Sequence, residues 1–186
     1  MSTPDGQRER RFASVYESVY PDLLQFVQRR AHPDHAEDVV AETFLVLWRR
    51  WEERPRREED VRAWLFGTAR HLLLNAWRGE NRRQALAVRI ADQENHHAGD
   101  RDAEHAVLRA DLTRAWAMLS ATHQEALALA VLDDLPSAQA AAVLGISPVA
   151  FRLRLSRARR ALRMLLDHQP RPTGAHTHQH RRATTP

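Results

Sequence analysis

The segment from Ser137 to Asp167 constrains the fold of this chain more than any other. It reads SAQAAAVLGISPVAFRLRLSRARRALRMLLD. The alanine-rich start forms a short helix, and Gly145 can take the left-handed turn that ends it. Ser147 can cap a second helix, and Pro148 suits that helix's first position. Short helix, glycine turn and long helix make a helix-turn-helix pattern. On the second helix Phe151, Leu155, Ala158, Leu162 and Leu165 share one face, which should be buried. Arg152, Leu153, Ser156, Arg157 and Arg160 fall on the opposite half, with Arg154 near the edge of the buried face. Six arginines and no acid lie between Arg152 and Arg163. Such a face suits the major groove, where phosphates supply affinity and a few side chains read base edges. The plainer alternative is a solvated basic helix face, but the turn geometry and the charge bias coincide.

The rest of the chain reads as helix too. Only six glycines occur in 186 residues, and apolar residues recur at spacings of three and four. Helices are expected from Phe12 to Ala31, restarting at Pro21, then from Asp34 to about Arg54 and from about Glu58 to Arg83. Others should cover about Glu104 to Leu119, Thr122 to Leu132, Ser137 to Leu144, and Ser147 to about Asp167. The polar stretch around Gly99 lacks apolar periodicity and reads as a linker. The fold class is therefore all-α, with two small helical domains at residues 7–89 and 104–167. Residues 90–103 form a flexible linker, and residues 168–186 a disordered tail. The HTHQH of that tail could bind a transition metal only adventitiously.

Composition removes several function classes. The chain has no cysteine, so disulfides, thiol catalysis and cysteine-ligated zinc are out. No apolar run reaches the length that spans a bilayer and no apolar signal core follows the polar start, so a cytoplasmic protein without membrane insertion is expected. No nucleophile, metal cluster or phosphate loop stands out; neither an enzyme nor a cofactor is expected. All 28 basic residues are arginine, whose planar fork suits phosphate and guanine.

Two further constellations lie in the first half. In DHAEDVVAETFLVLWRRW, the residues Val40, Thr43, Phe44, Leu47 and Trp51 line one face and should be core. Asp38, Ala41, Glu42, Leu45, Trp48 and Arg49 lie on the other side. An apolar pair ringed by charge is typical of a protein docking site, unless another helix covers Leu45 and Trp48. As a catalytic or metal site, Asp38 and Glu42 lack a third ligand on their face. In VRAWLFGTARHLLLNAWRGENRR, the residues Leu65, Thr68, Ala69, Leu72 and Ala76 make the expected core face. Trp64, Gly67, His71, Asn75 and Arg78 form a stripe that mixes an aromatic, hydrogen-bonding groups, a gap and a cation. Single-stranded nucleic acid is held by such means. The plainer alternative has Trp64 in the core and His71 at the surface.

Taken together, AEDVVAETFLVLWRRW, VRAWLFGTARHLLLNAWRGENRR and LSATHQEALALAVLDDLPSAQAAAVLGISPVAFRLRLSRARRAL resemble bacterial RNA polymerase sigma factors of the extracytoplasmic-function class. The resemblance spans about Phe12 to Leu166. It implies a protein that binds core RNA polymerase and directs promoter recognition, melting and transcription initiation. Asp38, Glu42, Leu45, Trp48 and Arg49 then match the polymerase-docking surface. Trp64, His71, Asn75 and Arg78 match the reader of the single-stranded −10 element. Arg152, Leu153, Ser156, Arg157 and Arg160 match the reader of the double-stranded −35 element. An anti-sigma factor is a partner that the resemblance implies.

The chain departs from the family pattern in places. His71 stands where asparagine is frequent, and Leu153 replaces a small polar residue. Ala140 replaces a large aliphatic, which implies lost burial worth about 1–3 kcal/mol and a weaker second domain. Glu52 to Asp60 is more charged than usual. Two other readings share some of these features: a stand-alone helix-turn-helix regulator, and a helical adaptor that binds no DNA.

Overall fold

A computed structural model describes residues 4–31, 33–76, 88 and 102–168. In its first half, α1 (Pro4–Gln28), α2 (Pro33–Arg49) and α3 (Glu58–Ala76) pack against one another. In the second, α4 (Asp102–Met118), α5 (Ala121–Leu127) and α6 (Ser137–Leu144) pack on α7 (Pro148–Asp167).

Helix α1 starts earlier than the sequence pattern suggests and runs through Pro21 without restarting. Pro21 is exposed, so water can take the acceptor that its missing N–H leaves open. Burial of Val19, Leu23, Phe26 and Val27 on the opposite face holds the helix together. In α2 the expected core residues Val40, Thr43, Phe44 and Leu47 are all buried, and the Thr43 hydroxyl donates to the Val39 carbonyl at 2.7 Å. The helix stops at Arg49 rather than Arg54, and a 3₁₀ turn, Trp51–Glu53, follows. That tighter turn keeps Trp51 inside. Arg54 then donates to the Trp51 carbonyl at 2.6 Å and lies 3.8 Å over its ring.

The helix-turn-helix forms as its local signals dictate. Gly145 ends α6 at φ 65°. Ser147 Oγ accepts from the Ala150 amide at 3.1 Å, with Pro148 in the first turn of α7. Phe151, Leu155 and Ala158 are buried, and Leu162 and Leu165 are half-buried. The helix expected to continue to Leu132 changes character after Leu127. Residues Ala128–Leu132 form a π-helical turn, closed by the Asp133 amide on the Ala128 carbonyl at 2.9 Å. The wider turn re-aims the chain so that Asp133 points inward.

The two halves are docked on each other. Arg29 and Arg30, at the end of α1, both reach Asp133, at 2.5 and 3.1 Å. Arg62 joins Asp22 to the Asp133 carbonyl, each at 2.9 Å. Arg70 grips Glu125 with two N–H groups, at 2.6 and 3.3 Å. Beside these pairs, α3 packs on α6. The approach is close because both surfaces are small there. A Cβ on Gly67 would lie 3.8 Å from the Val143 Cα, and half of α6 is alanine.

The packing of α1, α2 and α6 on α3 corrects the expected core of that helix. Leu65 and Ala69 are buried, but Thr68 and Leu72 are half-buried and Ala76 is exposed. Phe66, Ala63 and Leu73 are buried instead. The helix is covered from two sides, so a one-faced periodicity misplaces its core. Ala140 is fully buried. Residues 90–101, most of the expected linker, lie outside the described residues, as do 169–186 and the HTHQH motif. Among the described residues no helix is long and apolar enough to cross a membrane, and no cluster of three or more acidic, histidine or cysteine residues could hold a metal.

Candidate nucleic-acid and partner interfaces

The basic face of α7 is on the surface. Arg152, Ser156, Arg157 and Arg160 are exposed, Leu153 is 55% exposed, and Arg154 is half-buried. The side chains therefore alternate as the helical wheel requires, with Phe151 and Leu155 holding the helix down while the arginines project. The serine cap leaves the first turn ordered beneath Arg152. A guanidinium series with an apolar side chain among it can meet both phosphate oxygens and a thymine methyl.

The outer side of α2 is open as well. Asp38 and Arg49 are exposed, and Glu42 is half-buried; Glu42 and Arg49 pair loosely at 3.6 Å. Leu45 is 46% exposed and Trp48 36%. Trp48 is not wholly free of its own bundle. Phe12 meets it edge-on at 5.1 Å, and the Arg8 guanidinium lies 4.2 Å over its ring while donating to its carbonyl. The helix that could have covered the patch therefore covers part of Trp48 and leaves Leu45 open. The result is an apolar step with charge of both signs around it, the composition of an interface core and rim.

The stripe on α3 has two parts. Trp64 and Gly67 are half-buried, while His71 and Asn75 are exposed. Arg78 lies outside the described residues. His71 Nδ1 sits 2.8 Å from the Gly67 carbonyl, so Nδ1 must donate; in the neutral ring Nε2 then faces outward as an acceptor. Trp64, Gly67, Thr68 and His71 line a cleft of about 460 Å³ whose far wall is Ala138, Gln139 and Ala142 of α6. In the docked arrangement the stripe thus shares its cleft with the first helix of the helix-turn-helix. Trp64 also packs partly on the core, so it lines the cleft and belongs to the packing at once.

Sequence reasoning missed a second cleft, of about 430 Å³, which is lined by Arg10, Arg11, Arg54 and Arg56 with Trp51 at its base. Its signal was the arginine density of residues 8–11 and 54–57. It also missed the ionic contacts between the halves, because Arg30 and Asp133 are 103 residues apart.

Comparison with known proteins gives these surfaces a family. The Sigma-70 region 2 model matches residues 15–83, and the Sigma-70 region 4 model matches residues 109–162. SigL of Mycobacterium tuberculosis, an ECF RNA polymerase sigma factor, is 31% identical over 132 residues, which are 71% of this chain and 75% of SigL. The probable RNA polymerase sigma-C factor of Mycobacterium bovis is 32% identical over 163 residues, covering 87% of this chain and 85% of that protein. Among solved structures, the sigma factor RpoE of Bartonella quintana, in complex with the anti-sigma factor NepR, matches with a TM-score of 0.62 and 26% identity. It covers 87% of this chain and 99% of RpoE. CnrH, in complex with the cytosolic domain of CnrY, matches with a TM-score of 0.55 and 26% identity over 87% of this chain and 91% of CnrH. With both region models in order and relatives that span most of its length, the chain belongs to the ECF RNA polymerase sigma factors.

Proposed function

We propose that this protein binds core RNA polymerase through α2 and directs it to promoters that it reads at two places. Asp38, Glu42, Leu45, Trp48 and Arg49 form the polymerase contact. Trp64, His71, Asn75 and Arg78 hold the unpaired −10 strand, with stacking from Trp64 and an acceptor from His71. Arg152, Leu153, Ser156, Arg157 and Arg160 read the −35 duplex in the major groove. The domains span residues 7–89 and 104–167, in the cytoplasm. No cofactor is needed, since the work is recognition and strand capture, and sigma factors are not an enzyme class. An anti-sigma factor is a further partner, as NepR is for RpoE.

The observation that carries this reading is the coexistence, in one chain, of an acid-free arginine face on a helix-turn-helix and an open apolar step on α2. A stand-alone regulator needs the first and has no use for the second. An adaptor needs the second and has no use for the first. Gel filtration with sigma-free core polymerase tests it. The full chain should co-elute with core, and a chain with Leu45→Glu should not. Equal co-elution of both would remove α2 from the contact.

A further inference from the structure

We infer that Val149 and Leu153 form an apolar strip along the middle of the basic face of α7, and that this strip reads thymine methyl groups in the −35 element. This rests on the sigma reading and names the base chemistry of one of its sites. At about 100° per residue, the positions directly opposite the buried Phe151, Leu155 and Ala158 are Val149, Leu153, Ser156 and Arg160. Arg152 and Arg157, both exposed, stand about 70° to either side of that line. The arginines therefore make the two rims of the face. The apolar pair makes its middle, at the end of the helix nearest the turn. Val149 is 57% exposed and Leu153 55%.

A single exposed apolar side chain needs no explanation, but two on one line of a cationic face do. Four residues separate them, so they stand about 6 Å apart along the helix axis. That is close to two base-pair steps of about 3.4 Å, and the strip can meet methyl groups on neighbouring pairs. The first turn that carries Val149 is held in place. Ser147 Oγ accepts from the Ala150 amide at 3.1 Å, and Phe151 beneath the strip is fully buried.

The chemistry of the major groove narrows the ligand. Its apolar feature is the C5-methyl of thymine; the other base-edge groups there are donors and acceptors. Valine and leucine offer neither. Against cytosine, adenine or guanine they would strip water from a polar group and leave it without a hydrogen bond. Against thymine they bury a methyl. The rims argue for DNA rather than an apolar protein groove. Six arginines and no acid lie between Arg152 and Arg163. Among the described residues no carboxylate forms an ion pair with Arg152, Arg157 or Arg160. Phosphates on the two walls of a groove neutralise such rims while the base edges meet the strip between them.

The test uses the full chain bound to core polymerase and a duplex promoter fragment recovered from its own run-off start sites. Each thymine of the −35 block, on either strand, is replaced in turn by deoxyuridine, which keeps the base-pair hydrogen bonds and removes only the methyl. Binding by the unaltered chain should weaken about three- to fivefold at one or more of these thymines, the worth of one buried methyl. Leu153→Ser should weaken binding to the thymine fragment and abolish the methyl effect at one position at least. Val149→Thr, which keeps the shape and swaps a methyl for a hydroxyl, should blunt the effect at a neighbouring position. Leu153→Met should keep the sensitivity. Co-elution with core and circular dichroism should not change in any variant, since both side chains are exposed. Binding that ignores every methyl would overturn the proposal. So would a Leu153→Ser chain that binds the thymine and deoxyuridine fragments more weakly by one equal factor, which would assign the pair to a protein contact. If the unaltered chain neither joins core nor gives start sites, it is the sigma reading that fails.

Discussion

Replacing Asp133 with Asn should undock the two halves of the protein rather than unfold either. The Asp133 side chain is fully buried, and that of Arg30 is 2% exposed. Burial pulls the Arg30 guanidinium below its ordinary pKa, and Asp133 is the largest opposing influence. Asn keeps the size of the side chain, so no cavity opens. It removes the nearest negative charge, and Arg30 keeps the more distant Glu125 carboxylate, an amide oxygen in place of a carboxylate, the Phe26 carbonyl at 2.9 Å and the Phe26 ring at 3.7 Å. Breaking a buried pair by removing one partner costs about 3–5 kcal/mol. Arg29, 16% exposed, loses the same carboxylate but already reaches water. Arg30 comes from the turn after α1 and Asp133 from the turn after the π-helical segment, so the chain escapes the cost by separating the halves and letting water reach Arg30. The docking equilibrium should then shift by about two to three and a half powers of ten, at 1.4 kcal/mol per power. Small-angle scattering should show a larger radius of gyration, and amides of α6 should exchange faster, with far-ultraviolet circular dichroism unchanged. Unaltered scattering and exchange in the Asn variant would refute the reasoning. The halves would then be held by the packing of α3 on α6 and not by these charges.

Other outcomes follow from the same geometry. Gly145→Ala should cost about 1 kcal/mol in urea unfolding, since nothing lies within 4 Å of the added Cβ and only the left-handed backbone resists. Ser147→Ala should cost about 1 kcal/mol by the same measurement, through loss of the bond to the Ala150 amide. Arg157→Ala should weaken −35 recognition by about 1–3 kcal/mol in footprinting with the holoenzyme, if it reads a base edge, and leave co-elution with core intact. Leu45→Glu should weaken core binding about tenfold or more, as for a well-placed interface anchor, and leave circular dichroism unchanged.

What could be read from the sequence was local. The boundaries of α6 came from its alanines, its glycine and the following Ser-Pro, all features that act within a turn or two. The buried face of α2 came from period alone, because one side of that helix meets its bundle and the other meets water. The reading faltered where a second partner entered. Phe66 of α3 meets the Phe26 ring of α1 at 4.8 Å, and Leu73 is buried alongside Leu65 and Ala69, because α1, α2 and α6 all pack on that helix. Nothing local in α3 announces that. Pro21 looked like a restart because its missing N–H usually ends a helix; packing on the far face of α1 outweighed it. The turn that presents Asp133 depends on one extra residue in a π-helical turn, which apolar spacing does not encode. For the candidate sites, sequence indicated which residues lie on each face. It could not show that α6 faces the stripe across one cleft, or that four arginines from α1 and the turn before α3 share another.

The most direct test of the central claim is run-off transcription with purified protein, sigma-free core polymerase and a pool of genomic promoter fragments. The account predicts discrete start sites that appear only when the protein is present. Aligned upstream sequences should show two conserved blocks at −10 and −35 spacing. The absence of protein-dependent transcripts, together with failure to co-elute with core, would contradict it.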